Sequence, residues 1–234
     1  MKSAGKVFLA IGALSVAGAF AAGHFAQYPP LPRREDGVKH LVCIGDSITY
    51  GSGVRARRNT DAWPAVLGRR LGKDWQVLNY GLSGRTLSST GDMPYIREKF
   101  YPETFRCKAD VYVIMLGTND AKPYNWDAGE YRRELELFLK KYAALEGARV
   151  VVMKPPKAFV LAGAAEVQSD ILDLHIAEEL PMMDQVASRL GIETVDLYAF
   201  TAGHPEWFDD GVHPNAAGNE AIGSYLYKTL FPQE

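Results

Sequence analysis

The stretch that decides the fold is residues 39–49, which read KHLVCIGDSIT. Its first part, Lys39–Gly45, is an apolar run rich in residues that favour β structure. A run of this kind is typical of a strand buried on both faces of a parallel sheet. It leads directly into Gly45-Asp46-Ser47, where we expect a turn from strand to helix that exposes a serine.

Further strands and helices alternate on the C-terminal side of this stretch. The sequence predicts strands at 75–80, 110–116, 149–153 and 192–196, and helices at 61–71, 130–145, 174–190 and 216–230. Alternation of this kind implies parallel pairing, so we expect a three-layer α/β/α sandwich with a central sheet of about five parallel strands. In such sheets the ligand crevice lies beyond the carboxyl ends of the strands.

The N-terminus has the layout of an export signal. Lys2 and Lys6 precede an apolar run over 7–22, and small residues follow it. We therefore predict a signal peptide at 1–23, a linker at 24–37 and one folded domain at 38–234. The protein is then periplasmic or secreted, and it contacts a membrane only if the N-terminal segment stays uncleaved as an anchor.

Composition is that of an ordinary globular protein. Of 234 residues, 47% are hydrophobic and 23% charged, and the formal net charge is -2. This charge gives no reason to expect nucleic acid or an anionic membrane surface as a partner. A local arginine run is favoured as a solvated face of a loop and helix; it comprises Arg55, Arg57, Arg58, Arg69 and Arg70.

The two cysteines are expected to be free thiols. Cys43 lies inside the first predicted strand, and Cys107 precedes the third. If Gly45 and Gly117 are level in the sheet, the two cysteines are about 26 Å apart along the strands. A disulfide tolerates only about 7 Å between Cα atoms.

Four polar segments follow predicted strands or lie near the C-terminus. They are GDSIT at 45–49, NYGLSGRT at 79–86, GTND at 117–120 and DDGVHPN at 209–215. In this order they resemble the conserved blocks of the SGNH (GDSL-type) hydrolase superfamily, and the resemblance extends from Leu41 to Gly218. It implies a flavodoxin-like fold and a serine esterase that needs neither cofactor nor metal.

The resemblance also implies the roles of five residues. Ser47 stands at the nucleophile position, His213 at that of the general base, and Asp210 at that of the carboxylate that orients the imidazole. The Ser47 N–H, the Gly84 N–H and the Asn119 side chain stand at the positions of the oxyanion donors. These roles agree with chemistry, because a serine hydroxyl becomes a good nucleophile only when a base such as histidine takes its proton.

Neighbouring polar residues are expected to serve the structure. Asp209 lacks the three-residue spacing to His213 and is interpreted as a turn residue. His204 has no carboxylate three residues before it, and His175 lies inside a predicted helix. Asp46 is expected to hydrogen-bond within its turn. The histidines show no metal-ligand spacing.

The segment after Asn119 suggests a substrate pocket. We expect Lys122 and Asn125 to bind hydroxyl groups and Trp126 to stack on a sugar ring, although a buried Trp126 is an equal alternative. This loop looks like that of exported bacterial carbohydrate acetylesterases, so a small-molecule or glycan ester with a short acyl group, acetyl above all, is the expected substrate. The alternatives are an O-acetyltransferase, a lysophospholipase or thioesterase, and a non-catalytic glycan-binding module.

Overall fold

The structure, a computed structural model, describes residues 28–232. The chain divides into two compact units, Met1–Leu31 and Pro32–Glu234. The predicted signal peptide and the first part of the predicted linker lie outside the described residues. Within the described part, no helix has the length and apolar character needed to cross a bilayer.

The second unit is built on one sheet of five parallel strands in the order β2-β1-β3-β4-β5. The strands are β1 Lys39–Gly45, β2 Trp75–Gly81, β3 Val111–Met115, β4 Arg149–Lys154 and β5 Glu193–Asp196. The chain moves from β1 to one side for β2 and to the other side for β3. The loops after these two strands therefore diverge, and a crevice opens at the carboxyl end of β1.

Helices connect the strands and cover the sheet. In the described residues they are α1 Ser47–Tyr50, α2 Arg58–Asp61, α3 Trp63–Leu71, α4 Phe100–Arg106, α5 Ala128–Ala143, α6 Asp173–Leu190, α7 Leu197–Thr201 and α8 Ala216–Leu230. Within residues 28–232, four short 3₁₀ helices occupy loops, at Ser52–Arg57, Tyr95–Arg97, Gln168–Asp170 and Pro205–Trp207.

The core has two halves, one on each face of the sheet. On β1, Leu41 and Cys43 pack into the half covered by α3 and α8, whereas Val42 and Ile44 pack into the half covered by α5 and α6. Both faces of β1 are buried, which explains why its sequence is almost continuously apolar. The predicted three-layer sandwich is confirmed.

Helix α5 shows how a sequence stripe becomes a packed face. Five residues at helical spacing are buried against the sheet: Tyr131, Leu135, Phe138, Leu139 and Tyr142. Asp127 begins the helix by accepting a hydrogen bond from the Glu130 N–H at 2.8 Å. The amphipathic pattern predicted this helix within two residues at each end.

Helix α3 begins two residues later than predicted. Ala62 is extended, with φ -65° and ψ 147°, and the helix starts at Trp63. Pro64 has no N–H for a helical bond to the preceding turn, so a helix continued from residue 61 would lose that bond. The Trp63 N–H donates instead to the Asn219 side chain on α8 at 2.8 Å.

The part of the predicted linker that belongs to the second unit contacts β2. The Glu35 N–H donates to the Gln76 side chain at 2.9 Å, and the Gln76 amide donates to the Arg33 carbonyl at 2.9 Å. β2 is an edge strand. These bonds cover part of an edge that would otherwise present free backbone groups.

Both cysteines are unpaired and buried, as predicted. The strand register differs from the assumed one, because Gly45 lies opposite Met115 and not Gly117. Cys43 is therefore level with Val113. Burial raises the pKa of the Cys43 thiol well above its usual value.

Candidate active site

The turn after β1 presents Ser47 at the crevice. Asp46 caps α1, its Oδ1 accepting the Ile48 N–H at 2.9 Å. A side chain at Gly45 would place its Cβ 2.1 Å from the Thr49 Oγ1 and 2.6 Å from a backbone oxygen of β3. Only glycine fits there, and the tight approach brings the first residue of α1, Ser47, directly to the end of the strand.

The segment before α8 brings a carboxylate and an imidazole to this serine. His213 Nε2 lies 2.8 Å from Ser47 Oγ, and His213 Nδ1 lies 2.6 Å from Asp210 Oδ2. The other Asp210 oxygen accepts the backbone N–H groups of Val212 and His213 at 2.9 and 2.7 Å. Gly211, with φ 82°, makes this tight turn possible.

These contacts fix the charge on the carboxylate. Burial acts to raise the pKa of Asp210, but the hydrogen bonds from the His213 ring and backbone outweigh it and lower the pKa to about 2. An ionised Asp210 can only accept, so we assign the imidazole proton to Nδ1. Nε2 then accepts the hydrogen bond from the Ser47 hydroxyl.

Two further segments reach the same crevice, from the ends of β2 and β3. Gly84 has φ 82°, a left-handed conformation that glycine adopts readily. The Asn119 amide donates to the Arg85 carbonyl at 3.2 Å, which leaves its second N–H available. Gly84 and Asn119 line one cavity of about 350 Å³ together with Ser47, Asp210 and His213. The structure thus brings together all five residues predicted for the triad and the oxyanion site.

A buried arginine joins the two flanking segments. Arg85 is fully buried, and its guanidinium donates to the Ser83 carbonyl at 2.6 Å and to Glu98 Oε1 at 2.7 and 2.9 Å. Its own carbonyl accepts the bond from Asn119. Sequence reasoning missed this role, for which the available signal was a lone cation directly after Gly84 in a loop of small and polar residues.

Asp120 makes a second link between the same segments. It is buried, and its two carboxylate oxygens accept the backbone N–H groups of Leu87 and Ser88 at 2.8 Å each. Burial raises the pKa of Asp120 to about 7, against the effect of these two bonds. The sequence placed Asp120 in a motif but gave it no role, since its partners lie more than thirty residues away.

The three residues predicted for substrate binding have different surroundings. Lys122 lines the cavity. Asn125 braces the loop instead, donating to the Asn119 carbonyl at 2.9 Å and accepting the Asp92 N–H at 2.9 Å. Trp126 stacks on His175 of α6, with ring centroids 5.0 Å apart. Asn125 and Trp126 are thus held by these contacts and lie outside the wall of this cavity.

The polar residues that the sequence assigned to structure have partners of their own. Asp209 accepts from the Asn215 amide at 2.8 Å. His204 stacks on Trp207 and lies 2.8 Å from Glu206. Among residues 28–232 there is no group of three or more His, Cys, Asp or Glu side chains placed to hold a metal ion.

Comparison with known proteins identifies the family. The model of the GDSL-like Lipase/Acylhydrolase family matches residues 43–221. The chain therefore belongs to this family. The resemblance to the SGNH (GDSL-type) hydrolases is confirmed.

Individual relatives carry more specific names. An acetylxylan esterase of Xylanibacter ruminicola is 35% identical over 225 residues, which is 87% of this chain and 45% of that protein. The chain thus spans less than half the length of this relative. A carbohydrate acetylesterase family member from Sinorhizobium meliloti superposes with a TM-score of 0.68 at 25% identity, covering 82% of this chain and 97% of that one. The native M. smegmatis aryl esterase has a TM-score of 0.65 at 22% identity, over 82% of this chain and 98% of that one, and supports the fold alone.

Proposed function

We propose that this protein is a serine esterase that removes short acyl groups, acetyl above all, from carbohydrate esters. The observation that carries the proposal is the hydrogen-bonded line from Asp210 through His213 to Ser47 Oγ, with distances of 2.6 and 2.8 Å. This line ends in the cavity that Gly84 and Asn119 also line. A hydroxyl, a base and oxyanion donors at one point are the requirements of acyl transfer.

In this mechanism Ser47 Oγ attacks the ester carbonyl while His213 Nε2 takes the hydroxyl proton. The oxyanion accepts hydrogen bonds from the Ser47 N–H, the Gly84 N–H and the free N–H of the Asn119 amide. The tetrahedral intermediate then collapses, and His213 gives its proton to the departing sugar oxygen. Asp210 holds the imidazole tautomer and stabilises its positive charge.

Water completes the cycle. His213 takes a proton from a water molecule as its oxygen attacks the acyl-enzyme, and a second tetrahedral intermediate forms in the same oxyanion site. When that intermediate collapses, the proton returns to Ser47 Oγ and the free acid leaves. Asp210 stays ionised throughout, since its pKa of about 2 lies far below working pH.

The cavity favours a short acyl group on a polar alcohol. Most of the residues that line it are polar, among them Ser52, Ser83 and Ser169, while Ile171 and Val212 are its two aliphatic side chains. A long acyl chain would need a continuous apolar cleft, whereas sugar hydroxyls pair well with a wall of this kind. The names of the X. ruminicola and S. meliloti relatives also support the proposal that the substrate is a carbohydrate ester. Export through residues 1–23 stays a prediction.

Hydrolysis of p-nitrophenyl esters from acetyl to dodecanoyl tests the proposal. We expect the highest kcat/KM for acetyl and a loss of at least about 10³-fold in kcat for Ser47→Ala, because the acyl-enzyme can no longer form. Ser188→Ala, an exposed serine on α6, is the matched control and should retain full activity.

Wild-type rates in the Ser47→Ala variant would rule out the nucleophile. A preference for dodecanoyl esters would instead favour a lipid substrate. Release of acetate from an acetylated glycan, measured with and without an added acceptor sugar, separates hydrolysis from transfer.

A further inference from the structure

Arg55 lies between two cavities. It lines the Ser47 cavity, of about 350 Å³, and a second cavity of about 490 Å³. The second is walled by the 3₁₀ helix Ser52–Arg57 and by residues that lead into α8, among them Asp209 and Asn215. A ligand that places its ester at Ser47 and extends past Arg55 enters the second cavity. The two together provide room for sugar units beyond the acylated one.

The Arg55 guanidinium differs from its neighbours in having no internal partner. Arg57 pairs with Asp61 at 2.9 Å, and Arg58 donates to the Tyr50 carbonyl at 3.0 Å and covers the Tyr50 ring. No hydrogen bond or ion pair within residues 28–232 occupies the Arg55 side chain. Arg55 is thus an exposed member of the arginine run, as expected, but its guanidinium lies at the site with no partner among the described residues.

Neither of the carboxylates in the two cavity walls forms an ion pair with Arg55. Asp210 is bound to the His213 ring at 2.6 Å. Asp209, which lines the second cavity, accepts from the Asn215 amide at 2.8 Å. Both groups are engaged elsewhere, so the Arg55 donors remain available to a ligand that carries its own negative charge.

We propose that Arg55 binds a carboxylate of the glycan, so that the preferred substrate is an acylated carbohydrate bearing an acidic sugar next to the ester. A guanidinium presents a planar fork of donors that matches a carboxylate in a bidentate pair. Uronic acids are sugar units of this kind. The inference rests on the proposed function, since it names the class of carbohydrate that the Ser47 site receives.

Binding of oligosaccharides to the hydrolysis-deficient Ser47→Ala protein tests the Arg55 proposal without catalysis. Titration calorimetry would compare xylo-oligosaccharides that carry a glucuronic acid branch with unbranched ones of equal length. We expect the branched sugars to bind about tenfold more tightly at low salt. The ratio of the two affinities should approach one when Arg55→Gln is added. High salt should also lower this ratio, because the ion pair between Arg55 and the sugar carboxylate is open to solvent.

Two variants sharpen the result. Arg55→Lys keeps the charge but not the fork and should retain part of the preference. Arg70→Gln removes a cation of the same run that pairs with Glu220 at 2.7 Å and lines neither cavity, so the preference should be unchanged.

Equal binding of branched and unbranched sugars, or of neither, would overturn the Arg55 proposal while leaving the esterase proposal standing on wild-type hydrolysis of p-nitrophenyl acetate. If the wild-type protein did not hydrolyse p-nitrophenyl acetate but still bound branched sugars more tightly through Arg55, the esterase proposal would fall and the Arg55 proposal would stand. The second cavity would then be a glycan site without the proposed chemistry.

Discussion

Arg85 shows how much of the site depends on one residue outside the catalytic line. Its guanidinium holds the Ser83 carbonyl next to Gly84, and its own carbonyl holds the Asn119 amide. Both proposed donors that flank Ser47 are therefore tied to one residue, Gly84 through the Arg85 side chain and Asn119 through the Arg85 backbone carbonyl. Misplacement of oxyanion donors raises the barrier without weakening ground-state binding to the same extent.

Replacing Arg85 by methionine should lower kcat more than it changes KM. Loss of the guanidinium frees the Ser83 carbonyl and leaves Glu98 without its partner, so we expect kcat on p-nitrophenyl acetate to fall between about tenfold and hundredfold. Urea unfolding should also show a destabilisation of about 3–5 kcal/mol from the unpaired carboxylate.

Arg106→Met, which removes an exposed pair with Glu103, controls for loss of an arginine. Unchanged kcat in folded Arg85→Met protein would mean that Arg85 stabilises the fold without positioning the donors.

Among individual residues, the sequence predicted those that lie in short motifs. Ser47, Asp210 and His213 lie in segments whose residue order is itself informative, and the structure brings them together. The roles of Arg85 and Asp120 were not predicted, because their partners lie on loops whose paths depend on the whole fold. A local sequence pattern does not determine the path of a loop.

Among the secondary-structure elements, the 3₁₀ helix Ser52–Arg57 is packed directly against the segment that carries the imidazole. A Cβ at Gly53 would lie 2.2 Å from the Pro214 carbonyl oxygen and 3.1 Å from that of His213. This helix therefore limits how far the His213 backbone can approach Ser47. A glycine here reflects close contact between two chain segments.

Gly53→Ala should displace the His213 segment and reduce activity. The backbone must shift to relieve the clash. We expect kcat to fall about tenfold or more, because proton transfer requires an accurate position of the His213 ring relative to Ser47. Initial rates on p-nitrophenyl acetate measure this. Gly203→Ala is the matched control, since a Cβ at Gly203 meets nothing within 4 Å. Equal rates for both variants would show that the contact tolerates a methyl group.

Elements with a long, strong sequence pattern were predicted better than short helices. Strand β1 and helix α5 have strong patterns and were predicted closely. Helix α4, of seven residues with Pro102 in its first turn, was missed. The start of α3 was wrong because it depends on a bond to Asn219, which lies 156 residues away.

For the molecule as a whole, buried carboxyl groups tie stability to pH. Asp46, Asp120 and Glu179 are almost wholly buried, and burial raises the pKa of each, to about 6 for Asp46 and about 7 for Asp120. Repulsion from Asp46 adds to this effect for Asp120, and repulsion from Asp120 and Asp46 adds to it for Glu179. A carboxyl whose pKa is higher in the folded than in the unfolded chain destabilises the fold as pH rises.

Asp46→Asn should therefore stabilise the protein at high pH only. The Asp46 pKa is about 6 in the fold against 3.8 for the free side chain. Below about pH 3 both states are protonated and the variant gains nothing. The gain grows between about pH 3 and pH 6, and above about pH 6 the variant avoids a buried charge, with an expected gain of about 1–3 kcal/mol. The amide oxygen can still cap α1 by accepting the Ile48 N–H.

Urea unfolding at pH 4, 6 and 8 measures this gain. Asp74→Asn, at an exposed position, serves as the reference. A gain for Asp46→Asn that stays constant across the three pH values would contradict the assignment.

The place of β1 between β2 and β3 has a consequence for how such an enzyme can be altered. Gly84 and Asn119 are delivered by separate strands that flank the serine from opposite sides. Arg55 lies on the 3₁₀ helix that follows the Ser47 helix, and His213 comes from the segment before α8. An engineer can therefore change the Arg55 side chain to accept a different sugar, but the backbone around it has to stay, because Gly53 on the same 3₁₀ helix touches the segment that carries His213.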